Sequence, residues 1–418
     1  MSDLIPMMLG DLVALQRGHD LPESTRTAGP VPVMGSFGIT GWHDTVKAKG
    51  PGVTVGRSGA SIGVISYTED DYWPLNTCMH VTDFKGNEPR FVYYFLQTVN
   101  LAAHNSGSAQ PSLNRNYIYP IDIAVPRPAE QRAIAALLGA LDDKIELNRR
   151  MSATLEEMAR ALYRSWFVDF DPVHARALGQ PPAHMDPTTA ALFPDSFGPD
   201  GLPKGWARQP LAKHVTATRG LSYKGKHLCG PGDGVPLHNL NSIYEGGGYK
   251  DEGAKYYDGD FRPRHVIRPG DLIVANTEQS FGLELIGHAA LVPSWLGPSG
   301  IFSQHIYKVE VKENSPLSKE WLYLGLSIAS LGVEIRGFSN GTTVNMLPAD
   351  AFEIPETSIP SAAIVEKMNE IVRPAFAQQE RFRRESRTLA ALRDTLLPRL
   401  MSGELRIREA EQQVEEVV

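Results

Sequence analysis

An internal duplication is the feature that most limits what this 418-residue chain can fold into. Residues 9–18 (LGDLVALQRG) align with 211–220 (LAKHVTATRG) at an offset of 202, and Val31-Pro32-Val33 aligns with Val235-Pro236-Leu237 at 204. Pro51-Gly52 then matches Pro269-Gly270 at 218, run 53–55 matches 272–274 at 219, and Gly107-Ser108-Ala109 matches Gly341-Thr342-Thr343 at 234. Each match is short, but all keep their order. The rising offset places extra loop residues inside the second copy. A repeat of this kind is expected to fold as two related units.

Each copy ends in a long apolar stripe. Pro128 and Glu130 form a helix start, after which Leu138, Leu141, Ile145, Met151, Leu155, Met158 and Leu162 recur at heptad-like steps, with Asn148 bridging the widest gap. Acidic and basic residues flank this seam, as in a coiled coil, where one Asn can fix register. A solvated break in an imperfect stripe is an equal reading of Asn148. After Pro360-Ser361 a second stripe runs through Ile364, Met368, Ile371, Ala375, Phe382, Leu389, Leu392 and Leu396, and Pro374 is expected to kink or split it. Either stripe alone could be the core face of an ordinary domain; two at equivalent places favour helices that pack on each other. At about 1.5 Å per residue, 128–164 would span roughly 55 Å. Ahead of each helix, residues 9–126 and 209–359 are rich in Gly, Pro, Asn and short β-branched runs, the composition of β-rich domains with some helix. Between them, 171–206 contains DPV, QPP, MDP, FPD and LPKGW, a Pro-rich linker or wrapped loop.

Composition narrows the chemistry. With 42% hydrophobic and 21% charged residues the chain is globular. Cys78 and Cys229 are isolated, so no disulfide scaffold or zinc module is written, and a reducing cytoplasm is expected. Asp3 sits where a signal peptide needs positive charge, and the longest apolar stretch, 133–141, is far short of a membrane span. A net charge of −7 argues against bulk electrostatic gripping of nucleic acid, but leaves room for a reader with few, local basic groups.

Catalytic motifs are missing. There is no GxxxxGK[ST] loop, GxSxG elbow, HExxH, or methyltransferase Asn/Asp-Pro-Pro-aromatic motif. The Gly-rich cluster 230–234 does not open a helix after a strand. Glu310-Val311-Lys312, with Asp271 upstream, has the form of a Mg²⁺-dependent nuclease, which stands as the rival reading. What remains are Gly-rich turns bearing small polar and basic groups at equivalent places. They carry Arg17, Arg57, Ser58, Gln110, Asn114 and Arg115 in the first copy, and Arg219, Asn276, Thr277, Thr342, Thr343 and Asn345 in the second. Arg pairs bidentately with guanine, Asn or Gln with adenine, and hydroxyls bond phosphate. Any one alone would more often be a turn former. A helical scaffold binding only protein would leave these duplicated turns unexplained.

Several segments carry a family resemblance. They are PAEQRAIA at 128–135, LDDKI at 141–145, ALYRSWFVDFDPV at 161–173, LFPDSF at 192–197, LPKGW at 202–206 and LLPRLMSGEL at 396–405. In these the chain resembles the specificity subunit of a type I restriction-modification system. The resemblance implies an α+β chain: target-recognition domains at 1–127 and 207–359, antiparallel spacer helices at 128–168 and 360–405, a linker at 169–206 and a charged tail at 406–418. It implies a non-catalytic subunit that binds a bipartite site on double-stranded DNA, with modification methyltransferase subunits and a restriction motor-nuclease as partners. S-adenosylmethionine, ATP and Mg²⁺ would then belong to those partners and no cofactor to this chain.

Overall fold

The computed structural model describes residues 4–105, 112–278, 284–341 and 345–417. The chain forms two compact units, one of 1–148 with 385–418 and one of 149–384. Each combines one copy of the repeat with half of each long helix.

In the first unit, a four-stranded antiparallel sheet runs in the order Ala14–Arg17, Cys78–Asp83, Gly52–Gly56, Ile65–Thr68. Val53, Thr54 and Val55 are all buried, so the central strand reads as an unbroken β-branched run rather than an alternating one. A smaller sheet pairs Val31–Gly35 with Gly38–His43 and, in parallel, with Trp73–Pro74. Ile5–Met8 pairs with Asp122–Val125. Helix Pro89–Thr98 starts on a proline, whose missing N–H costs nothing at that position, and buries Phe91, Val92, Phe95 and Leu96. These share a core with Ile134, Leu138 and Leu141 of the first long helix and Leu389, Leu396 and Leu400 of the second.

The second unit repeats the plan strand for strand in its main sheet. That four-stranded sheet is Val215–Arg219, Ile306–Val311, Leu272–Ala275, Ala289–Leu291. Ala207–Pro210 pairs with Glu356–Ile359 as Ile5–Met8 pairs with Asp122–Val125. Leu9 donates its N–H to Ile121 O at 2.9 Å, and Leu211 donates to Pro355 O at 2.8 Å. Val235–His238 lies in parallel beside Gly300–Phe302 and antiparallel to Lys255–Tyr257, matching the smaller sheet. Helix Lys319–Ser327 stands for Pro89–Thr98, with Trp321 buried where Phe91 is.

The long helices, Pro128–Phe167 and Ala362–Met401, contain 40 residues each. Within the first unit they run antiparallel: Arg393 Nη1 donates to Asp142 at 2.6 Å, and Asn148 donates to Glu385 at 2.9 Å. Within the second, Gln379 donates to Ser152 O at 3.0 Å and to Glu156. Asn148 is buried, as a seam residue should be. Beyond it the expected stripe is half right. Met151 and Met158 are 42% and 63% exposed, Leu155 and Leu162 are half-buried, and Ala159, Tyr163 and Trp166 are buried, because the seam steps four residues from Asn148 to Ser152, not three to Met151, and keeps its heptad through Leu155, Ala159, Leu162 and Trp166. Ile371 is likewise exposed, and Val372 and Gln379 are buried instead. Pro374 does not divide the second helix. It costs one backbone bond, which burial of Met368, Val372 and Phe382 on both sides outweighs.

An ion pair seats each short helix on a long one, with opposite polarity in the two units. Arg90 bonds Asp143 (Nη1 3.0 Å) and Gly139 O (3.2 Å). At the corresponding place Glu320 meets Arg373 Nε at 3.3 Å. Counted from the start of each long helix, Gly139 and Arg373 hold the same position.

The Pro-rich stretch is a wrapped segment with two short helices, Asp171–Ala177 and Pro187–Ala190. Val173, Phe193, Leu202 and Trp206 join the second unit's core, with Phe193 edge-on to Trp166 at 5.1 Å. The charged tail contains a helix, Ile407–Glu415, that buries Ala410 in the first unit's core with Ile407 and Val414 beside it. That 3- and 4-residue spacing was legible but masked by the surrounding charges.

Candidate nucleic-acid interface

In the first unit, turns from three separate segments line one cleft of about 600 Å³. Arg17, His19 and Asp20 come from the end of a sheet strand, Arg57 from the end of another, and Asn114 and Arg115 from the start of a short helix. Gly18 makes the first turn possible: a Cβ there would lie 2.1 Å from Leu75 O. Gly220 holds the same place against Ser303 O in the second unit. Arg57 donates Nη1 to Asn76 O at 3.3 Å and its backbone N–H to Thr77 O at 3.1 Å. Burial, and then the neighbouring Arg17, pull the Arg57 guanidinium below its ordinary value. Two cations held together in this way favour an anion between them. Asn114 accepts from Asn116 N at 3.0 Å, capping the helix and leaving its amide N–H groups as donors. Arg115 spends one nitrogen on Leu15 O at 2.8 Å. Ser58 pairs with Ser112 at the rim. Gln110 lies outside the described residues.

The second unit keeps the frame and changes the side chains. Arg219 is exposed and donates Nε to Gln304 O at 3.1 Å. Asn276 stands where Arg57 does: its backbone N–H donates to His305 O, as that of Arg57 donates to Thr77 O, and its carbonyl accepts from Leu347 as that of Arg57 accepts from Leu113. Asn276 and Thr277, expected as DNA-binding residues on an open turn, are buried in the chain alone. They are 1% and 4% exposed, with Asn276 Nδ2 on Gln304 O at 3.0 Å and Thr277 Oγ1 3.1 Å from His305 Nδ1. These polar groups brace the Gln304-His305 turn. Residue type alone does not tell a braced turn from an open one. Asn345 pairs with Glu278 in a two-residue ladder and is half-buried; Thr342 and Thr343 lie outside the described residues.

Sequence reasoning missed His19 and Asn76 in the first unit, and Gln304 and His305 in the second. Only pairing of the repeats through the sheets would have found them, since Asn76-Thr77 and Gln304-His305 share no residue. Burial, with Arg219 nearby, lowers the His305 pKa and favours the neutral ring. Glu278, also missed, is buried and accepts the N–H groups of Glu284, Leu285 and Ile286, each at 3.0 Å.

The nuclease triad does not assemble. Asp271, Glu310 and Lys312 line one groove, but Asp271 accepts from Arg268 N, Glu310 bonds Lys308, and Lys312 Nζ donates to Ala212 O. Among the described residues no group of His, Cys, Asp or Glu is placed to hold a metal ion. The 230–234 cluster is a turn between Leu228–Cys229 and Val235–His238, with no helix behind it. Cys78 is buried between carbonyls of Met34 and Leu75, and burial pushes its thiol up to about 12.

The duplicated α+β chain thus presents polar and basic turns from each copy. Residues 3–157 match the family model described as the type I restriction modification DNA specificity domain. The chain is 22% identical over 356 residues to the type I restriction enzyme MjaIX specificity subunit of Methanocaldococcus jannaschii, covering 84% of this chain and 77% of that one. It is 25% identical over 374 residues to the HindI specificity subunit of Haemophilus influenzae, covering 76% and 77%. The fold matches a crystal structure of the type I restriction-modification S subunit from M. genitalium with a TM-score of 0.57 at 16% identity, over 96% of both chains. Residues 3–157 are thus similar to that specificity domain, and most of the chain is similar to type I specificity subunits.

Proposed function

We propose that this chain reads a bipartite DNA site for partner enzymes and performs no chemistry itself. The observation that carries the reading is the convergence of Arg17, Arg57, Asn114 and Arg115 on one cleft, on a hydrogen-bonded frame that recurs in the second unit around Arg219. The arginines of the first cleft and Arg219 take phosphate or guanine, and the amides of Asn114 and Asn345 take base edges. Asn276 and Thr277 position the second turn without touching DNA. The two long helices act as spacer and as docking surface for modification methyltransferase subunits, and a restriction motor-nuclease joins that assembly. S-adenosylmethionine, ATP and Mg²⁺ are then bound by the partners. The acidic balance of the chain is tolerable because the complex shares the phosphate contacts. No described helix is long and apolar enough to cross a membrane, and the reading places the chain with chromosomal DNA in the cytoplasm.

The test is a genome-wide map of methylated adenines with the chain present and deleted. Loss of one split motif is expected; an unchanged map overturns the proposal.

A further inference from the structure

The hairpin of Val31–Gly35 and Gly38–His43 holds apolar side chains in water where its own packing does not need them. Its first strand is buried throughout, yet Phe37 at the turn is 67% exposed, and Ile39 and Trp42 on the return strand are 54% and 53% exposed. Single exposed apolar residues are ordinary. Three large ones on one short hairpin, next to a basic cleft, point to a partner. The hairpin is held close to its turn: Leu75 N and Cys78 Sγ both donate to Met34 O, and Arg26 Nη1 donates to Thr40 O at 2.9 Å. Its tip abuts the basic cleft. A Cβ on Gly56 would lie 2.7 Å from Ser36 O, and Gly56 immediately precedes Arg57.

The second unit carries the same device in a different form. Val235 pairs with Tyr257 as Val31 pairs with His43, but the connection is longer and runs through Gly246, Gly247 and Gly248, all at positive φ. It presents Tyr244, 44% exposed, with the Lys250 ammonium 5.7 Å from the ring centre. Gly248 N donates to Ala289 O, which seats this tip on the edge strand of its sheet. In the first unit Gly38 lies against Ser66 of the corresponding strand.

We propose that Phe37, and Tyr244 in the second unit, are wedges that enter the base stack at one step of each half-site. The inference rests on the DNA-reading function above. Arginines beside the hairpin hold the phosphate backbone, which fixes the tip against the duplex. An apolar ring on a stiff support can then separate adjacent base pairs and stack on them. Steps that unstack easily, such as TA and CA, would be favoured at that position without any hydrogen-bonded readout.

The experiment uses the full chain assembled with its modification subunits, on a duplex carrying the site found by methylation mapping. 2-Aminopurine is placed at successive positions. A fluorescence rise at one step in each half-site is expected. Phe37→Ala should abolish the rise in one half-site only and weaken binding roughly tenfold, about 1.4 kcal/mol. Phe37→Leu, which keeps an apolar wedge, should retain most of both. A Phe37→Ala complex that binds and fluoresces like the parent overturns the wedge. Failure of the parent complex to bind the mapped duplex overturns the DNA-reading function itself.

Discussion

Arg17 and Arg57 stand close enough for repulsion to act on the Arg57 guanidinium, and a phosphate between them would relieve it. Arg17→Gln is therefore expected to weaken binding to all duplexes alike and to lower the slope of log affinity against log salt by about one. An anisotropy titration across salt concentrations reads it; an unchanged slope would remove Arg17 from the backbone contacts. Asn276→Ala should behave differently, costing about 1–2 kcal/mol of unfolding free energy through its lost bond to Gln304. His238 is buried with Nδ1 2.8 Å from Tyr249 Oη, and burial pushes its pKa down to about 4. Because the unfolded ring takes its proton near 6.5, the unfolded state binds more protons between the two values. This histidine's contribution, on the order of 3 kcal/mol, is thus present at neutral pH and lost as pH falls from about 6.5 to about 4. Urea unfolding at stepped pH, with His238→Gln showing the shallower dependence, checks it. Residue types in the turns were legible in the sequence; burial was not, which is why Asn276 and Arg57 looked alike as readers.

The elements differ in how openly the sequence announced them. Helix Pro128–Phe167 begins at its proline signal, and the Val53–Val55 strand shows as a β-branched run. The helix in the tail was hidden because its apolar residues are few and the core they meet belongs to a distant stretch of the chain. Truncation after Gly403 removes Leu405, Ile407, Ala410 and Val414 from the first unit and should cost it about 4 kcal/mol, at ~1.5 to 3 kcal/mol for each large side chain buried in full. Stepwise urea unfolding followed by hydrogen exchange should find the first unit weakened and the second unchanged; equal loss in both would show that the tail supports the whole chain. The heptad itself continues past Asn148, but a polar seam residue followed by the small Ser152 left the step after it unmarked, and the nearest large apolar residue, Met151, lies one position off the seam. Met158 is off it in the same way, beside buried Ala159.

At the scale of the molecule, the chain passes from one unit to the other inside each long helix, after Asn148 and after Arg384. If the helices set the gap between half-sites, four residues inserted at both crossings should add about 6 Å with only about 40° of rotation. The half-sites should then survive while the gap widens by roughly one or two base pairs, at about 3.4 Å per step. Two-residue insertions rotate each segment by about 200° and should abolish assembly. Methylated-site maps of both variants decide between a ruler and a mere tether. The duplication was legible from short ordered matches. That each unit is closed by the helix of the other copy was not, because pairing between distant segments leaves no local pattern.

The opposite polarity of the Arg90–Asp143 and Glu320–Arg373 pairs bears on how such a chain can acquire a new target. A recognition domain moved from the first position to the second would bring Arg90 to Arg373, like charge to like, and the reverse move would seat Glu320 at Gly139 with no cation to meet and Asp143 one turn on. Genetic exchange that replaces a domain in place escapes this penalty; transposition along the chain does not. If each unit reads one half-site as proposed, the order of the two halves is heritable independently of what either half spells, and lineages would diversify the words while conserving the syntax.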